Sequence, residues 1–234
     1  MKNFLFVFSF LLMLSSCGNE PAENEMRLTG EVKGLRKGNL WLQKLDDSIL
    51  VNLDSMVVDG NANFEFSDVL SEPEVYYLTM SFQDSSNIIK RVPFFAESGE
   101  ITLTTSLEDY ELDLVVTGSE NQRVWDDYKK LMKRYNDQNL QLIEDELNAM
   151  KEGNDSLVAQ VKQEKDRLLK NTYLASVNFA KNHGDYEVAP YIVLTEVFDL
   201  NTRFLDTIQA SLSPKIKDSK YGKELESLIQ SRKE

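Results

Sequence analysis

The chain has 234 residues, of which 41% are hydrophobic and 28% are charged, and it carries a formal net charge of −13 at pH 7. This length and composition are typical of a globular protein with one large domain or two small ones. The acidic excess argues against a nucleic-acid partner, because phosphate binding needs clustered lysine and arginine. It argues equally against electrostatic docking on anionic lipid.

The first 17 residues, MKNFLFVFSFLLMLSSC, have the form of a secretory signal. Lys2 supplies positive charge, and the apolar run over residues 4–14 is too short to span a bilayer as a helix. The last four residues, LSSC, resemble a bacterial lipobox, in which lipid such as palmitate is attached to the cysteine and the chain is cut before it. The resemblance implies a lipoprotein signal peptide over residues 1–16 and lipidation of Cys17. An ordinary signal peptide with a coincidental cysteine is the alternative.

Cys17 is the only cysteine of the chain, so its lipidation leaves no free thiol. Residues 17–25 are acidic and lack large apolar side chains, which predicts a flexible tether. We expect a protein of the cell envelope, anchored by lipid to the outer membrane and facing the periplasm or the exterior. The membrane is then a partner through the acyl chains, and the leaflet stays open.

Alternating apolar and polar residues over 26–118 predict short strands. Turn residues separate these runs, among them Asp46-Asp47, Asp59-Gly60 and Glu72-Pro73. Such spacing favours an antiparallel β-sandwich, and Asp59-Gly60 predicts a hairpin between its flanking strands.

After Gly118 the apolar period changes to that of a helix, which predicts an all-helical module over 119–234. Ser119 and Gln122 fit a capping box at the start of a helix that ends near residue 151. A second helix over 155–182 completes a long antiparallel hairpin, and Gly184 is predicted as its left-handed cap. Leu147 and Met150 follow the helical spacing of the first helix, and Leu169 is placed on the apolar side of the second. Three shorter helices are predicted over 188–198, 202–211 and 220–232. The fold class is therefore α+β.

Several segments resemble a bacterial lipoprotein family, the domain-of-unknown-function family 4369 of Bacteroidetes. They are LTGEVKGL, NLDSMVVDGNANFEF, the Glu72-Pro73 step, VVTGSENQ, APYIVL and SPKIKDSKYGKELESLI. In that family a thioredoxin-like domain, of the thiol–disulfide oxidoreductase or peroxiredoxin type, usually follows. This chain has no C-x-x-C motif, so the resemblance implies no catalytic residue here.

Few other residues suggest chemistry, and no catalytic, cofactor-binding or metal-binding residue is predicted. His183, the only histidine, fits a triad or zinc site less well than a helix end. Asp46-Asp47 and Glu144-Asp145-Glu146 suggest calcium or paired-carboxylate chemistry, but they also fit turns and solvated helix faces. The sequence holds no phosphate-binding glycine loop.

Two strand features complete the candidates. Asp54-Ser55 either lines a site or fixes a strand bend through a side-chain hydrogen bond. The aromatic set of Trp41, Tyr76, Tyr77 and Phe82 either forms a platform for sugars or peptides or packs in the core.

These observations favour a non-enzymatic lipoprotein that acts by binding, as a partner in envelope thiol-redox or stress systems. The alternative is a glycan- or peptide-binding lipoprotein beside an outer-membrane importer. A third hypothesis is a hydrolase that uses scattered carboxylates, but no set of carboxylates with catalytic spacing can be identified in the sequence.

Overall fold

The structure is a computed structural model that describes residues 24–82 and 88–233. The predicted signal peptide and Cys17 lie outside the described residues, and of the predicted tether only Asn24 and Glu25 lie within them. Glu25 already belongs to the first strand, so the folded part begins one residue earlier than the sequence predicted.

Within the described residues, eight strands form two four-stranded sheets. They are β1 (Glu25–Lys33), β2 (Lys37–Asp46), β3 (Ile49–Asp59), β4 (Asn63–Val69), β5 (Glu74–Phe82), β6 (Ile89–Ala96), β7 (Gly99–Ser106) and β8 (Val115–Thr117). The first sheet has the order β4-β1-β7-β8, and the second has the order β3-β2-β5-β6. The inner side chains of both sheets share one buried core, which includes Leu28, Phe64, Leu78, Phe94 and Leu103. The predicted sandwich is confirmed.

Two details of the sandwich differ from the prediction. β1 and β7 run parallel, while the other pairs of strands are antiparallel. Asp59-Gly60 does not close a hairpin, because β3 belongs to the second sheet and β4 to the first. The turn instead carries the chain across the sandwich, and the Gly60 amide donates to the Arg36 carbonyl at 2.7 Å. Short-range turn signals do not specify which strands will pair.

In the part of the chain that the structure describes, six helices follow the sandwich. They are α1 (Glu120–Lys151), α2 (Asp155–Asn182), α3 (Val188–Glu196), α4 (Thr202–Ser211), α5 (Pro214–Asp218) and α6 (Lys220–Ser231). The long hairpin of α1 and α2 and the three shorter helices are confirmed, whereas the five-residue α5 was missed. Ser119 caps α1 by accepting from the Gln122 amide at 3.0 Å, and the Ser219 hydroxyl caps α6 in the same manner.

The glycine prediction at the end of α2 is wrong. Gly153, between α1 and α2, has the left-handed φ of +68°, whereas Gly184 does not lie in that region. Gly184 is instead needed for close packing, because a Cβ there would meet the Ser211 carbonyl oxygen at 2.5 Å. Among the described residues, none of the helices combines the length and apolar character needed to cross a membrane.

Candidate functional site

The helices cover one end of the outer face of the second sheet and form a second hydrophobic core with it. Phe95 of β6 is fully buried, and its ring lies edge-on against Trp125, Tyr191 and Tyr221 at centroid distances of 5.6–6.2 Å. Val75 of β5 is also buried in this core. We call this contact between sandwich and helices the junction. Because its residues come from both parts of the chain, the two parts are packed together, and the two-domain division stays a prediction.

Asn121 is the polar centre of the junction and is almost fully buried. Its carboxamide nitrogen donates to Glu97 and to Glu187 at 2.8 Å each, and its carboxamide oxygen accepts from the Val188 amide at 2.8 Å. Its backbone amide donates to the second oxygen of Glu97 at 3.1 Å. One side chain of α1 therefore ties together the β6–β7 turn and the start of α3.

Three further side chains satisfy backbone groups across the junction. The Gln122 carboxamide oxygen accepts from the Phe95 amide at 2.8 Å, so the second half of the predicted capping box is used on β6 instead. The Tyr221 hydroxyl accepts from the Val75 amide at 2.9 Å. Glu72 accepts from the Lys220 amide at 2.7 Å, at the start of α6. These bonds fix the orientation of the helices on the sheet.

A cleft of about 320 Å³ opens at one side of the junction, and we call it the tyrosine cleft. The turn between β2 and β3, strand β5 and helices α3 and α6 contribute its walls. Its lining residues are Leu45, Asp47, Val75, Tyr77, Tyr191, Leu194, Thr195, Lys220, Tyr221 and Glu224. The size lies in the range typical of small-molecule sites. The tyrosine cleft is a candidate ligand-binding site between the sandwich and the helices.

The three tyrosines of the cleft are neutral at physiological pH. Burial raises the pKa of Tyr77, Tyr191 and Tyr221 above the ordinary value for tyrosine. At the rim, partial burial and the nearby carboxylates of Glu74 and Glu72 raise the pKa of Glu224, against the lowering effect of Lys220. The cleft thus presents neutral aromatic rings beside a carboxyl group.

A second cleft, of about 420 Å³, lies near the start of the sandwich. Its most prominent polar side chains already have structural partners. Glu72 accepts from the Lys220 amide, Glu97 binds Asn121, and the Lys215 ammonium lies 3.0 Å from Glu187. We therefore regard its polar lining as part of the junction.

The outer part of the α1–α2 hairpin exposes an apolar stripe. Leu140, Ile143, Leu147 and Met150 are spaced three and four residues apart on α1, and they are between 37% and 64% exposed. Five of the six buried side chains of α1 lie within residues 120–128. Leu147 and Met150 therefore lie on an apolar face that is exposed, and Leu169 of α2 is also 54% exposed. The helical period alone cannot separate two neighbouring apolar stripes.

His183 lies at the end of α2, as the helix-end interpretation predicted. Its Nδ1 lies 2.8 Å from the Phe179 carbonyl oxygen, and its ring stacks on the Phe179 ring at 4.0 Å. Within residues 24–82 and 88–233, no group of three or more histidine, cysteine, aspartate or glutamate side chains is placed to hold a metal ion.

The acidic clusters and Asp54-Ser55 lie in turns, in an ion pair between helices and at a strand irregularity. Asp46 and Asp47 lie at the turn between β2 and β3, where Asp47 has a φ of +53°. Glu146 accepts from Lys165 of α2 at 2.8 Å, within the hairpin. The Asp54 carboxylate accepts from the Ser55 amide at 2.7 Å, beside a register shift between β2 and β3. This matches the predicted strand irregularity.

The four predicted aromatic residues do not form one platform. Tyr76 is fully buried and donates to Asp68 at 2.6 Å, and Phe82 packs against the sandwich core. Trp41 is paired with Ser55 and Thr79 on neighbouring strands and does not line the tyrosine cleft. Tyr77 alone of the four lines it. Tyr191 and Tyr221, which complete the cleft, come from helices distant in sequence and gave no signal of their own.

Residues 26–125 match a family model described as Domain of unknown function (DUF4369). The match is confined to these residues, which make up less than half of the chain. The DUF4369 match covers the sandwich and the first turns of α1, including Asn121 and Trp125 of the junction. It supports the domain family for the segments within residues 26–125. The segments APYIVL and SPKIKDSKYGKELESLI lie outside the match. The lipoprotein assignment, the bacterial group and the association with thioredoxin-like domains stay predictions. Comparisons with curated proteins and with solved structures gave no match.

Proposed function

We propose that this protein is a lipid-anchored lipoprotein of the cell envelope that acts by binding a partner protein, without catalysis of its own. The lipobox-like LSSC and the DUF4369 domain support the anchor and the setting. The observation that carries the binding role is the exposed apolar stripe on the α1–α2 hairpin. The partner implied by the family resemblance is a separate thioredoxin-like protein of envelope redox or stress systems.

The stripe has the form of a helix-docking surface. Leu140, Ile143, Leu147 and Met150 follow a heptad spacing, which is the spacing that lets one helix pack along another. Glu144 flanks it on the same helix, as does Asp137, which is paired with Lys133 at 2.8 Å. We therefore expect a partner helix whose apolar face is bordered by lysine or arginine. A second copy of this chain fits less well, because it would add the same acidic flanks.

Site-specific photo-crosslinking in the native host tests this role. A photoreactive amino acid at position 143 or 147 should give a crosslinked species whose second component is another envelope protein. The same amino acid at the exposed Gln163 of α2 is the matched control. No crosslink above that control, or crosslinks only to a second copy of the chain, would rule out the proposed partner.

Introducing a charge on the stripe gives an independent prediction. Leu147→Asp should abolish the crosslink from position 143, because the partner would have to bury a carboxylate. Since Leu147 is half exposed, we expect the free energy of unfolding to change by less than about 1 kcal/mol. Urea denaturation checks that second expectation, and a large loss of stability would mean that the side chain serves the fold.

The anchor gives a separate prediction. Cys17→Ser should move the protein from the membrane fraction to the soluble fraction of host cells, because the acyl chains have no attachment point. The fractions are compared by immunoblot after ultracentrifugation, with Ser16→Ala as the control. Unchanged membrane association of Cys17→Ser would contradict lipidation of Cys17.

The tyrosine cleft favours a second candidate function, that of a ligand-binding lipoprotein working beside an outer-membrane importer. Its ligands would be glycans or peptides. Titration of the protein against glycan and peptide panels tests this candidate, which fails if none of them binds.

A further inference from the structure

We propose that the tyrosine cleft binds an organic cation, namely an alkylammonium or guanidinium group carried by a small molecule or by a basic peptide side chain. The cleft lies apart from the apolar stripe of the hairpin. Cation binding in the cleft can therefore be tested independently of partner binding by α1.

The first observation is the aromatic composition of the cleft. Tyr77, Tyr191 and Tyr221 line one space, with the rings of Tyr191 and Tyr221 at 5.1 Å. Aromatic rings attract cations through the negative potential of their faces, and groups of such rings recognise alkylammonium ligands. Leu45, Val75 and Leu194 add apolar surface for the carbon atoms of such a ligand.

The second observation is the charge around the cleft. The lining contains two carboxylates, Asp47 and Glu224, and one cation, Lys220. The Lys220 ammonium is paired with Glu74 at 2.7 Å, which leaves Glu224 without an ion pair among the described residues. The charged groups around the cleft residues and their partners also give a negative balance. They include three carboxylates, Glu72, Glu74 and Glu196, and two cations, Lys44 and Arg91.

The third observation is that the protein already places an ammonium group beside one of these tyrosines. The Lys220 nitrogen lies 5.8 Å from the centre of the Tyr221 ring. This distance lies within the range of cation–π attraction. The ring environment of the cleft is therefore compatible with a positive group.

Calorimetric titration of the chain carrying Cys17→Ser tests the proposal with choline and with its uncharged isostere 3,3-dimethyl-1-butanol. We expect choline to bind at least about tenfold more tightly, because the two differ in charge and hardly in shape. A blocked lysine tripeptide distinguishes the two sources of the cation. Binding of choline, of the tripeptide or of both supports the site, whereas equal binding of the neutral alcohol, or no binding of either cation, overturns it.

Paired charge variants locate any binding in the cleft. Glu224→Gln should weaken cation binding about three- to fivefold, and Lys220→Met should strengthen it by a similar factor, because the two charges act with opposite sign. Glu226→Gln on the same helix is the matched control and should leave the affinity unchanged. If Glu224→Gln and Glu226→Gln have the same effect, the cation does not bind in the tyrosine cleft.

Discussion

Replacing Asn121 with leucine should lower the free energy of unfolding by about 3–5 kcal/mol. The leucine side chain has the same number and branching of heavy atoms, but it cannot bind Glu97, Glu187 or the Val188 amide, which the Asn121 side chain satisfies at 2.8 Å each. Glu187 is 2% exposed, so its carboxylate would lose a buried hydrogen-bond donor and keep the exposed Lys215 as its ion-pair partner. The cost of leaving such groups unsatisfied exceeds the gain from an added apolar side chain.

Urea denaturation followed by circular dichroism measures this loss. Asn148→Leu is the matched control, since Asn148 lies on the same helix and is exposed. The control should change the free energy of unfolding by less than about 0.5 kcal/mol. Equal effects of the two substitutions would show that the Asn121 network does not hold the helices on the sandwich.

The helical half of the fold was largely predictable because its signals are local. The α1–α2 hairpin follows from two long stretches of helical period separated by Gly153 and Asn154, and Ser119 caps α1 as expected. Strand positions were equally visible, since period-two alternation marks one buried face. The parallel pairing of β1 with β7 was not, because pairing partners are fixed by the whole sandwich.

The candidate site was much less predictable, because tertiary contacts assemble it. Tyr77 and Tyr221 are 144 positions apart in the sequence and meet only when α6 packs on β5. Gln122 fits a capping box by spacing, yet its oxygen accepts from the Phe95 amide. A polar side chain near a helix start has several satisfactory partners, and the fold determines which of them it meets.

The segments that carried the family resemblance contribute much of the junction. VVTGSENQ supplies Gly118, Ser119, Asn121 and Gln122, and the Glu72-Pro73 step supplies the carboxylate at the start of α6. A sequence motif can thus mark the contact between two parts of a fold. We interpret these segments as specifying how the helices dock on the sheet, and the tyrosine cleft is one product of that docking.

Gly118→Ala should lower the free energy of unfolding by at least about 3 kcal/mol. The substitution tests whether the turn from β8 into α1 requires glycine. Two separate penalties act at this position. The φ of +96° is unfavourable for alanine by about 1–2 kcal/mol. An added Cβ would also collide with the Glu100 carbonyl oxygen of β7, which is backbone and cannot move aside cheaply.

Gly60→Ala separates the two penalties. Gly60 has a nearly identical φ of +93°, but an added Cβ would meet nothing within 4 Å. This control should therefore lose only about 1–2 kcal/mol in the same urea experiment. A loss at Gly118 no larger than that at Gly60 would mean that β7 yields to the new methyl group, and that the sandwich does not rigidly fix where α1 begins.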